Sequence, residues 1–287
     1  MQTITDYEQL KALVSAEFKP GVLTNASVCE RDYVPYIEAG TLEYEQGGFG
    51  LLLVRRKREH NYVSFWLNAG AAGEASPSQL AAFVASLPLP PRCLLEVAYR
   101  ERDAKLKELA EALKNNGFEK QLGRIRYTRP ADAGRPDIVP LDDGTTLRGL
   151  RGSNDPGRSE GLAEMTPSDA EEIRAFIAEN FVERTGCWPS AAELAYDRVL
   201  EIRDGKGLCA IIHCQTDGPM PNIRHMAVRS DCRGQRLTAK LLSRFCGSFD
   251  GSRAMVWVKE HDEAAMHAYT RFGFAPDGRE SVVLFKE

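Results

Sequence analysis

Several kinds of sequence feature are missing from this chain of 287 residues, and each absence excludes a class of protein. No apolar run approaches the roughly 18 residues that suggest a transmembrane helix. The N-terminal MQTITDYEQL has no basic segment followed by an apolar one, so we expect no signal peptide. The formal net charge of −4 gives no overall excess of basic groups. We therefore expect neither a nucleic acid nor a membrane as a partner.

The seven cysteines are an odd number at irregular spacing, and none forms a C-x-x-C pair. This pattern is neither a zinc framework nor a disulfide framework, so we predict no metal site. Scattered free thiols are typical of a reducing cytoplasm, where we expect the protein to be. No serine, cysteine or histidine pattern indicates a nucleophilic triad.

The length favours two domains, and 43% apolar residues are enough for a buried core. Composition changes between residues 129 and 161, which are rich in Pro, Gly, Asp and Arg and cannot bury a continuous apolar face. A short strand is predicted there only in Thr145–Leu150. We therefore predict a first domain of residues 1–130, a linker of residues 131–161 and a second domain of residues 162–287.

The two halves share an order of elements. The first begins with a potential capping box of Thr5 and Glu8, and the second with Thr166 before Pro167. Each half ends with a strand, a helix, a Gly-Phe pair and a final strand. In the first half these are CLLEVAY, DAKLKELAEALKNN, Gly117-Phe118 and RIRYT. In the second half they are RAMVWV, DEAAMHAYTR, Gly273-Phe274 and ESVVLF. The two Gly-Phe pairs are 156 positions apart, which favours a duplicated α/β unit.

Residues Asn222–Phe249 carry the clearest chemical signal. IRHMAV is typical of a strand, RSDCRGQR is a turn with one glycine and three arginines, and LTAKLLSRFCGSF has helical apolar spacing. A helix that begins after such a turn offers N–H groups and the positive end of its dipole to an anion. Gly234 permits close approach of the backbone, and Arg233 and Arg236 can add charge-assisted contacts. The alternative is an ordinary strand, turn and helix with exposed arginines.

Together with the block that follows, this stretch resembles the Gcn5-related N-acetyltransferase (GNAT) family. The family's cofactor signature, Arg/Gln-x-x-Gly-x-Gly/Ala, is matched by the six residues from Arg233 to Thr238, although Arg236 and Thr238 replace small residues. The family's next block resembles Val-x-x-x-Asn-x-x-Ala-x-x-x-Tyr-x-x-x-Gly-Phe. Here that block contains Val258, Asp262 in the place of Asn, Ala265, Tyr269 and Gly273-Phe274.

The resemblance implies an α/β (α+β) fold class, with tandem GNAT-like domains that each have a mixed, mostly antiparallel twisted sheet flanked by helices. It also implies acetyl-CoA as cosubstrate. The implied cofactor-binding residues are those of the turn and the start of the next helix, namely Arg233, Gly234, Gln235, Arg236, Leu237, Thr238 and Asp262. Backbone groups of Met226, Ala227 and Val228 would pair with the pantetheine arm, and Tyr269 would protonate the departing thiolate.

The first half lacks these features. Its corresponding turn, LNAGAAGEASPSQL, contains Gly70 and Gly73 but no arginine, and Leu113 stands at the position that corresponds to Tyr269. We therefore expect a degenerate copy that does not bind the cofactor.

The general base and the acceptor stay open. An amine with a pKa near 10.4 is neutral in only about one molecule in 10^3.4 at pH 7, a handicap of about 4.6 kcal/mol, so a base is needed. The glutamate that several family members carry near the start of this strand is Asn222 here. His225 is a candidate base, with Glu183 and Glu260 as alternatives.

We predict an acyl-CoA-dependent N-acyltransferase that transfers acetyl from acetyl-CoA to a small-molecule or peptide amine. The amine would attack directly in a ternary complex, and the protein would be a monomer or a homodimer. The alternative is a non-catalytic acyl-CoA-binding or scaffold protein of the same fold.

Overall fold

The structure is a computed structural model that describes residues 1–26, 28–68, 75–142, 144–155, 161–182, 188–216 and 220–287. Within those residues the α-helices are α1 (Tyr7–Glu17), α2 (Glu30–Glu38), α3 (Pro77–Ser86), α4 (Ala104–Lys114), α5 (Pro167–Asn180), α6 (Ala191–Leu194), α7 (Leu237–Ser248) and α8 (Glu263–Thr270). The strands are β1 (Gln2–Thr3), β2 (Leu23–Thr24), β3 (Leu42–Gly47), β4 (Gly50–Arg55), β5 (Asn61–Leu67), β6 (Cys93–Arg100), β7 (Glu119–Arg129), β8 (Thr146–Arg151), β9 (Ala163–Glu164), β10 (Asp197–Asp204), β11 (Gly207–Gln215), β12 (Asn222–Val228), β13 (Ala254–Lys259) and β14 (Ala275–Lys286). No helix in these ranges has the length and apolar character needed to cross a membrane.

The chain divides into two compact units, and neither is one continuous stretch. The first unit contains the described residues from 1 to 124 and from 278 to 287, and the second contains those from 125 to 182 and from 188 to 277. The division therefore falls inside β7. The last residues of the chain belong to the first unit, because β14 pairs antiparallel with β6 from Arg279 to Lys286.

The sheet of the first unit has the strand order β1-β3-β4-β5-β6-β14, with β2 paired to β5. Its strands are antiparallel except for β5 and β6, which run parallel and are connected through α3. The apolar run in β4 reflects burial on both faces. Leu52 and Val54 pack with α3 and α4, whereas Leu51 and Leu53 pack with α1 and α2.

The sheet of the second unit has the strand order β13-β12-β11-β10-β8-β9. It is antiparallel except for the pairs β12–β13 and β8–β9. Helices cover both faces, because Ile212 of β11 packs in the core that contains α7 while its neighbour Ile211 packs with α5 and α6. The structure confirms the predicted fold class, a mixed and mostly antiparallel sheet flanked by helices.

The closing elements of the two halves repeat in detail. Gly117 and Gly273 have φ angles of 88° and 82°, the left-handed conformation in which glycine commonly ends a helix. The following phenylalanines make the same hydrogen bond: Phe118 N donates to the carbonyl of Leu113, and Phe274 N donates to that of Tyr269, both at 3.2 Å. The predicted order of strand, helix, Gly-Phe and strand is confirmed in both halves.

The start of α1 corrects one prediction. The predicted capping box of Thr5 and Glu8 is wrong by one residue, because Asp6 is the N-cap and its Oδ1 accepts from the backbone N–H of Gln9 at 2.7 Å. The Gln9 side chain in turn accepts from Thr5 N at 2.9 Å. A carboxylate is an efficient N-cap acceptor, so the helix begins at the residue that supplies one.

The start of α5 and the strand in the predicted linker agree with the sequence. Thr166 Oγ1 accepts from Asp169 N at 3.2 Å, and Pro167 occupies the first helical position. The strand expected in Thr145–Leu150 is β8, which pairs with β10. Residues predicted as linker thus contribute to the second sheet, while the predicted limits of the domains stay a prediction.

Candidate functional site

The parallel strands β12 and β13 pair at their first residues and then separate. Their ladder contains only Asn222↔Met255 and Ile223↔Val256, although β12 continues to Val228 and β13 to Lys259. In the part of the chain that the structure describes, no further strand pairs with the edge of β12 that faces this opening. The three predicted strand residues, Met226 to Val228, lie along this edge.

A β-bulge in β12 decides which side chains point to which face. The ladder with β11 pairs His213 with His225 but Cys214 with Ile223, so Arg224 is an extra residue. Beyond the bulge, Met226 and Val228 pack against the core that contains α7 and Tyr269. His225 and Ala227 therefore point to the opposite face, toward α5.

The turn that follows β12 has the shape expected of an anion site. After a short 3-10 helix, Ser230–Cys232, the backbone turns through Gly234 (φ 83°) and Arg236 (φ 58°) into α7. No side chain caps α7, so its first N–H groups retain their capacity to bind an anion. Arg236, at the position of a signature glycine, adopts the left-handed conformation that favours glycine.

The surface of this turn is open. Residues Arg233 to Arg236 are exposed, and a Cβ atom built on Gly234 would meet no other atom within 4 Å. The preceding Arg229 anchors the turn, since its guanidinium donates to Asp204 and Asp231 at 2.6 Å each and to the carbonyl of Leu208 at 2.8 Å. An anion could therefore contact the backbone directly.

Helix α8 positions Asp262 and Tyr269, the two predicted site residues of the second sequence block. Asp262 is its N-cap, and its Oδ1 accepts from Ala265 N at 3.0 Å. Tyr269 is only 4% exposed and packs edge-on against Phe274. Burial, with a further contribution from Asp262, raises the pKa of Tyr269 well above its usual range, so the phenol stays protonated at neutral pH. Tyrosine is protonated at neutral pH even without this shift, so the shift by itself distinguishes neither a general acid nor a packing residue.

His225 belongs to a buried row of polar side chains on the α5 face. Its Nδ1 lies 2.9 Å from Nδ1 of His213, whose Nε2 lies 2.7 Å from Oδ2 of Asp197. These residues come from β12, β11 and β10 respectively and are 5%, 2% and 0% exposed. The ring of Phe181, which follows α5, contacts His225 edge-on at 5.0 Å between centroids.

Sequence reasoning missed Asp197 and His213. The available signal was a histidine inside the otherwise apolar strand GLCAIIHCQ. The other candidate bases lie elsewhere: Glu260 follows β13 in the turn to α8, and Glu183 falls outside the described residues. Of the three candidates, His225 is therefore the one that the structure places on β12.

Comparison with known proteins identifies the fold. No protein-family model matches the sequence, and no curated protein does. A GNAT acetyltransferase from Colwellia psychrerythraea is 14% identical, with a TM-score of 0.55 over 99% of this chain and 98% of that one. A tandem GNAT protein from the clavulanic acid biosynthesis pathway is 14% identical, with a TM-score of 0.56 over 96% and 92%. A GCN5-related N-acetyltransferase from Kribbella flavida is 14% identical, with a TM-score of 0.54 over 91% of this chain and 96% of that one.

The chain has the tandem GNAT fold. At 14% identity the likeness concerns the fold alone, because one fold can carry different functions.

In the first GNAT unit the corresponding opening is filled by the chain itself. The parallel ladder of β5 with β6 ends at Val63↔Leu95, while β4 occupies the other edge of β5 along nearly its whole length. Beyond Val63, β2 pairs with β5 through Leu23↔Leu67 and Thr24↔Trp66, so it must occupy the edge that β6 leaves. The side chain of Asn25 completes this edge, donating to the carbonyl of Val63 at 3.1 Å and accepting from Phe65 N at 2.7 Å.

We expect Asn25→Ala to destabilise the first GNAT unit by about 1–3 kcal/mol, because two partly buried backbone groups of β5 lose their partner. Urea denaturation measures the loss. Asn61→Ala is a matched control on the same strand, since the Asn61 side chain donates a single exposed hydrogen bond to the carbonyl of Pro91. Equal losses in the two variants would contradict the assigned role of Asn25.

One group of side chains in the second GNAT unit has metal-ligand character. The ligand atoms of Asp204, Cys209 and Cys232 lie within 4.8 Å of one another. The carboxylate of Asp204 already accepts from Arg229, and burial raises the pKa of the Cys209 thiol to about 12. The three side chains also contact one another, since Cys232 Sγ lies 4.0 Å from Asp204 Oδ2.

Proposed function

We propose that the second GNAT unit binds acetyl-CoA and transfers its acetyl group to the amine of a small molecule or a peptide. The observation that carries the proposal is the continuity of two features. The edge of β12 opens beyond Ile223, and the same strand leads directly into the exposed turn before the uncapped helix α7. A ligand with an amide-bearing arm and a pyrophosphate can occupy both at once.

The pantetheine arm suits the edge of β12. It carries amide groups that can pair with the backbone of Met226 to Val228 as an added strand pairs with a sheet edge. The pyrophosphate would then lie at the start of α7, where the N–H groups of Leu237 and Thr238 and the helix dipole favour negative charge. Arg233 and Arg236 are exposed beside that position and can add charge-assisted hydrogen bonds.

The chemistry requires an acid for the leaving group and donors for the carbonyl oxygen. Tyr269 is a protonated donor in the core against which Met226 and Val228 pack. The N–H of Val228 or a neighbouring residue would polarise the thioester carbonyl. The amine would attack directly within a ternary complex of enzyme, acetyl-CoA and acceptor.

The first GNAT unit is proposed to bind no acetyl-CoA. Residues Leu23 to Asn25 already pair with the edge of β5 that the pantetheine arm would need. Leu113 stands where Tyr269 stands in the second unit and is fully buried. The turn of the first unit with Gly70 and Gly73 lies outside the described residues.

We expect the full chain to bind one acetyl-CoA per molecule and to release coenzyme A thiol when a suitable amine is added. Isothermal titration measures the stoichiometry, and a thiol-reactive dye measures the release across a panel of amines and peptides. Two acetyl-CoA molecules per chain would contradict the assignment to the second unit alone. Binding without thiol release for any amine would favour the non-catalytic binding protein instead.

A further inference from the structure

We propose that His225 is the general base of the acyl transfer and that His213 and Asp197 are positioning residues that set its tautomer. The proposal rests on the proposed N-acyltransferase function and assigns the proton acceptor within it. It concerns the row defined above on β10, β11 and β12, which we call the Asp–His–His row.

For a neutral His213, the two contacts assign the tautomers of this row. The carboxylate of Asp197 accepts the hydrogen of His213 Nε2 across the 2.7 Å contact, so Nδ1 of His213 carries a lone pair. The 2.9 Å contact between the two Nδ1 atoms then requires the hydrogen to be on His225. His225 is thereby the Nδ1–H tautomer, and its Nε2 is the basic nitrogen.

The row also stabilises the charge that forms on His225. When Nε2 of His225 takes a proton, the imidazolium still donates through Nδ1 to His213, and His213 still donates to Asp197. The buried carboxylate, 0% exposed, thus acts on His225 through one intervening ring. Electrostatic interactions are stronger in such a buried setting than in water.

The position of His225 suits this role. It is two residues beyond Ile223, the last residue of β12 that pairs with β13, and so lies where the strands open. The bulge at Arg224 turns its side chain away from the face of α7 and toward α5 and Phe181. An acceptor amine approaching from the α5 face would therefore meet the base and the opening together.

The protons of the reaction balance with His225, Tyr269 and solvent. An acceptor that arrives as an ammonium loses one proton before attack. Its nitrogen then forms a bond to the thioester carbonyl carbon, the carbon–sulfur bond breaks, and the nitrogen loses a second proton. His225 Nε2 takes these protons in turn and passes them to solvent, while Tyr269 supplies one proton to the sulfur and regains it from solvent. The products are an amide, coenzyme A thiol and one net proton.

Nitrogen-15 NMR of the histidine rings tests the tautomers in the full chain without any activity. The five histidines are assigned by single substitutions, among them His213→Gln and His225→Gln. We expect His225 as the Nδ1–H form in the wild type and a loss of that form in Asp197→Asn, because the amide no longer requires the hydrogen on His213 Nε2. The same tautomer in both proteins would overturn the positioning role of Asp197.

Kinetics test the base itself. We expect His225→Gln to lower kcat by about 10²–10⁴-fold with little change in the KM for acetyl-CoA, and Asp197→Asn to lower kcat in the same way. Glu201→Gln is a matched control, because Glu201 is another fully buried carboxylate of β10 outside the row. His267→Gln controls for loss of an exposed histidine. Both controls should retain the wild-type kcat and the wild-type tautomer of His225.

The outcomes separate the two proposals. A wild type that binds acetyl-CoA but releases no thiol with any amine overturns the proposed function and the base together. A wild type that transfers acetyl while His225→Gln is equally fast overturns the base alone. A loss in Glu201→Gln as large as that in Asp197→Asn would show that burial of a carboxylate on β10, and not the row, accounts for the effect.

Discussion

Gly234→Val is expected to abolish the binding of acetyl-CoA. The Cβ position of Gly234 faces open space on the exposed turn before α7, so a bulky side chain there would stand where the pyrophosphate must approach the backbone. The φ angle of 83° also strains a β-branched residue by about 1–3 kcal/mol, which would distort the turn. Isothermal titration of the full chain measures the affinity.

Gly251→Val is a control that distinguishes blocked access of the pyrophosphate from backbone strain. Gly251 has a φ of 75°, is also surrounded by open space, and lies after α7, away from the turn. The two variants should lose comparable stability, but only Gly234→Val should lose binding. Unchanged affinity in Gly234→Val would mean that the phosphate site is elsewhere.

Tyr269→Phe is expected to lower turnover by about 10²–10⁴-fold while acetyl-CoA binds with nearly unchanged affinity. The substitution keeps the ring that packs against Phe274 and removes only the hydroxyl. Comparing kcat for thiol release with the dissociation constant of acetyl-CoA gives the result. Tyr127→Phe is the matched control, since Tyr127 is a buried tyrosine of the same core with no assigned role.

Equal turnover in Tyr269→Phe and the wild type would remove the catalytic role. Tyr269 would then be a packing residue, as its 4% exposure alone would allow. A comparable loss in Tyr127→Phe would indicate that this core tolerates no loss of a hydroxyl, and would also remove the argument for an acid.

The parts of the fold that sequence could predict are those set by neighbouring residues. The cap at Thr166 and the Gly-Phe turns depend on residues within one or two helical turns, so their patterns are readable along the chain. The predicted N-cap of α1 was wrong by one residue, because Thr5 and Asp6 are both residue types that favour this position. Only the observed hydrogen bond identifies Asp6 as the cap.

The parts that sequence could not predict depend on strand register. Asp197, His213 and His225 meet because their three strands pair in one register. A single extra residue in β12, Arg224, places the side chain of His225 on the same face as the other two. A shift of one residue would send the polar side chains to the opposite face. No spacing along the chain encodes that alignment.

Strand partnership is equally hidden from local pattern. The apolar run Val282–Phe285 of β14 is the same whichever strand it pairs with, yet the residues from Arg279 onward pair with β6 of the first unit. Likewise the two-residue strand β2 carries no clear signal, although with Asn25 it occupies the edge of β5. These pairings come from contacts distant in sequence, which propensity does not report.

Hydrogen–deuterium exchange with and without saturating acetyl-CoA tests the central claim most directly. The claim is that the cofactor pairs with the edge of β12 and with the start of α7, and that the chain itself already occupies the corresponding edge of β5. We predict slower exchange in peptides that cover Met226–Val228 and Gly234–Thr238, and no change in peptides that cover Phe65–Leu67. Protection of Phe65–Leu67, or no protection of Met226–Val228, would contradict the account.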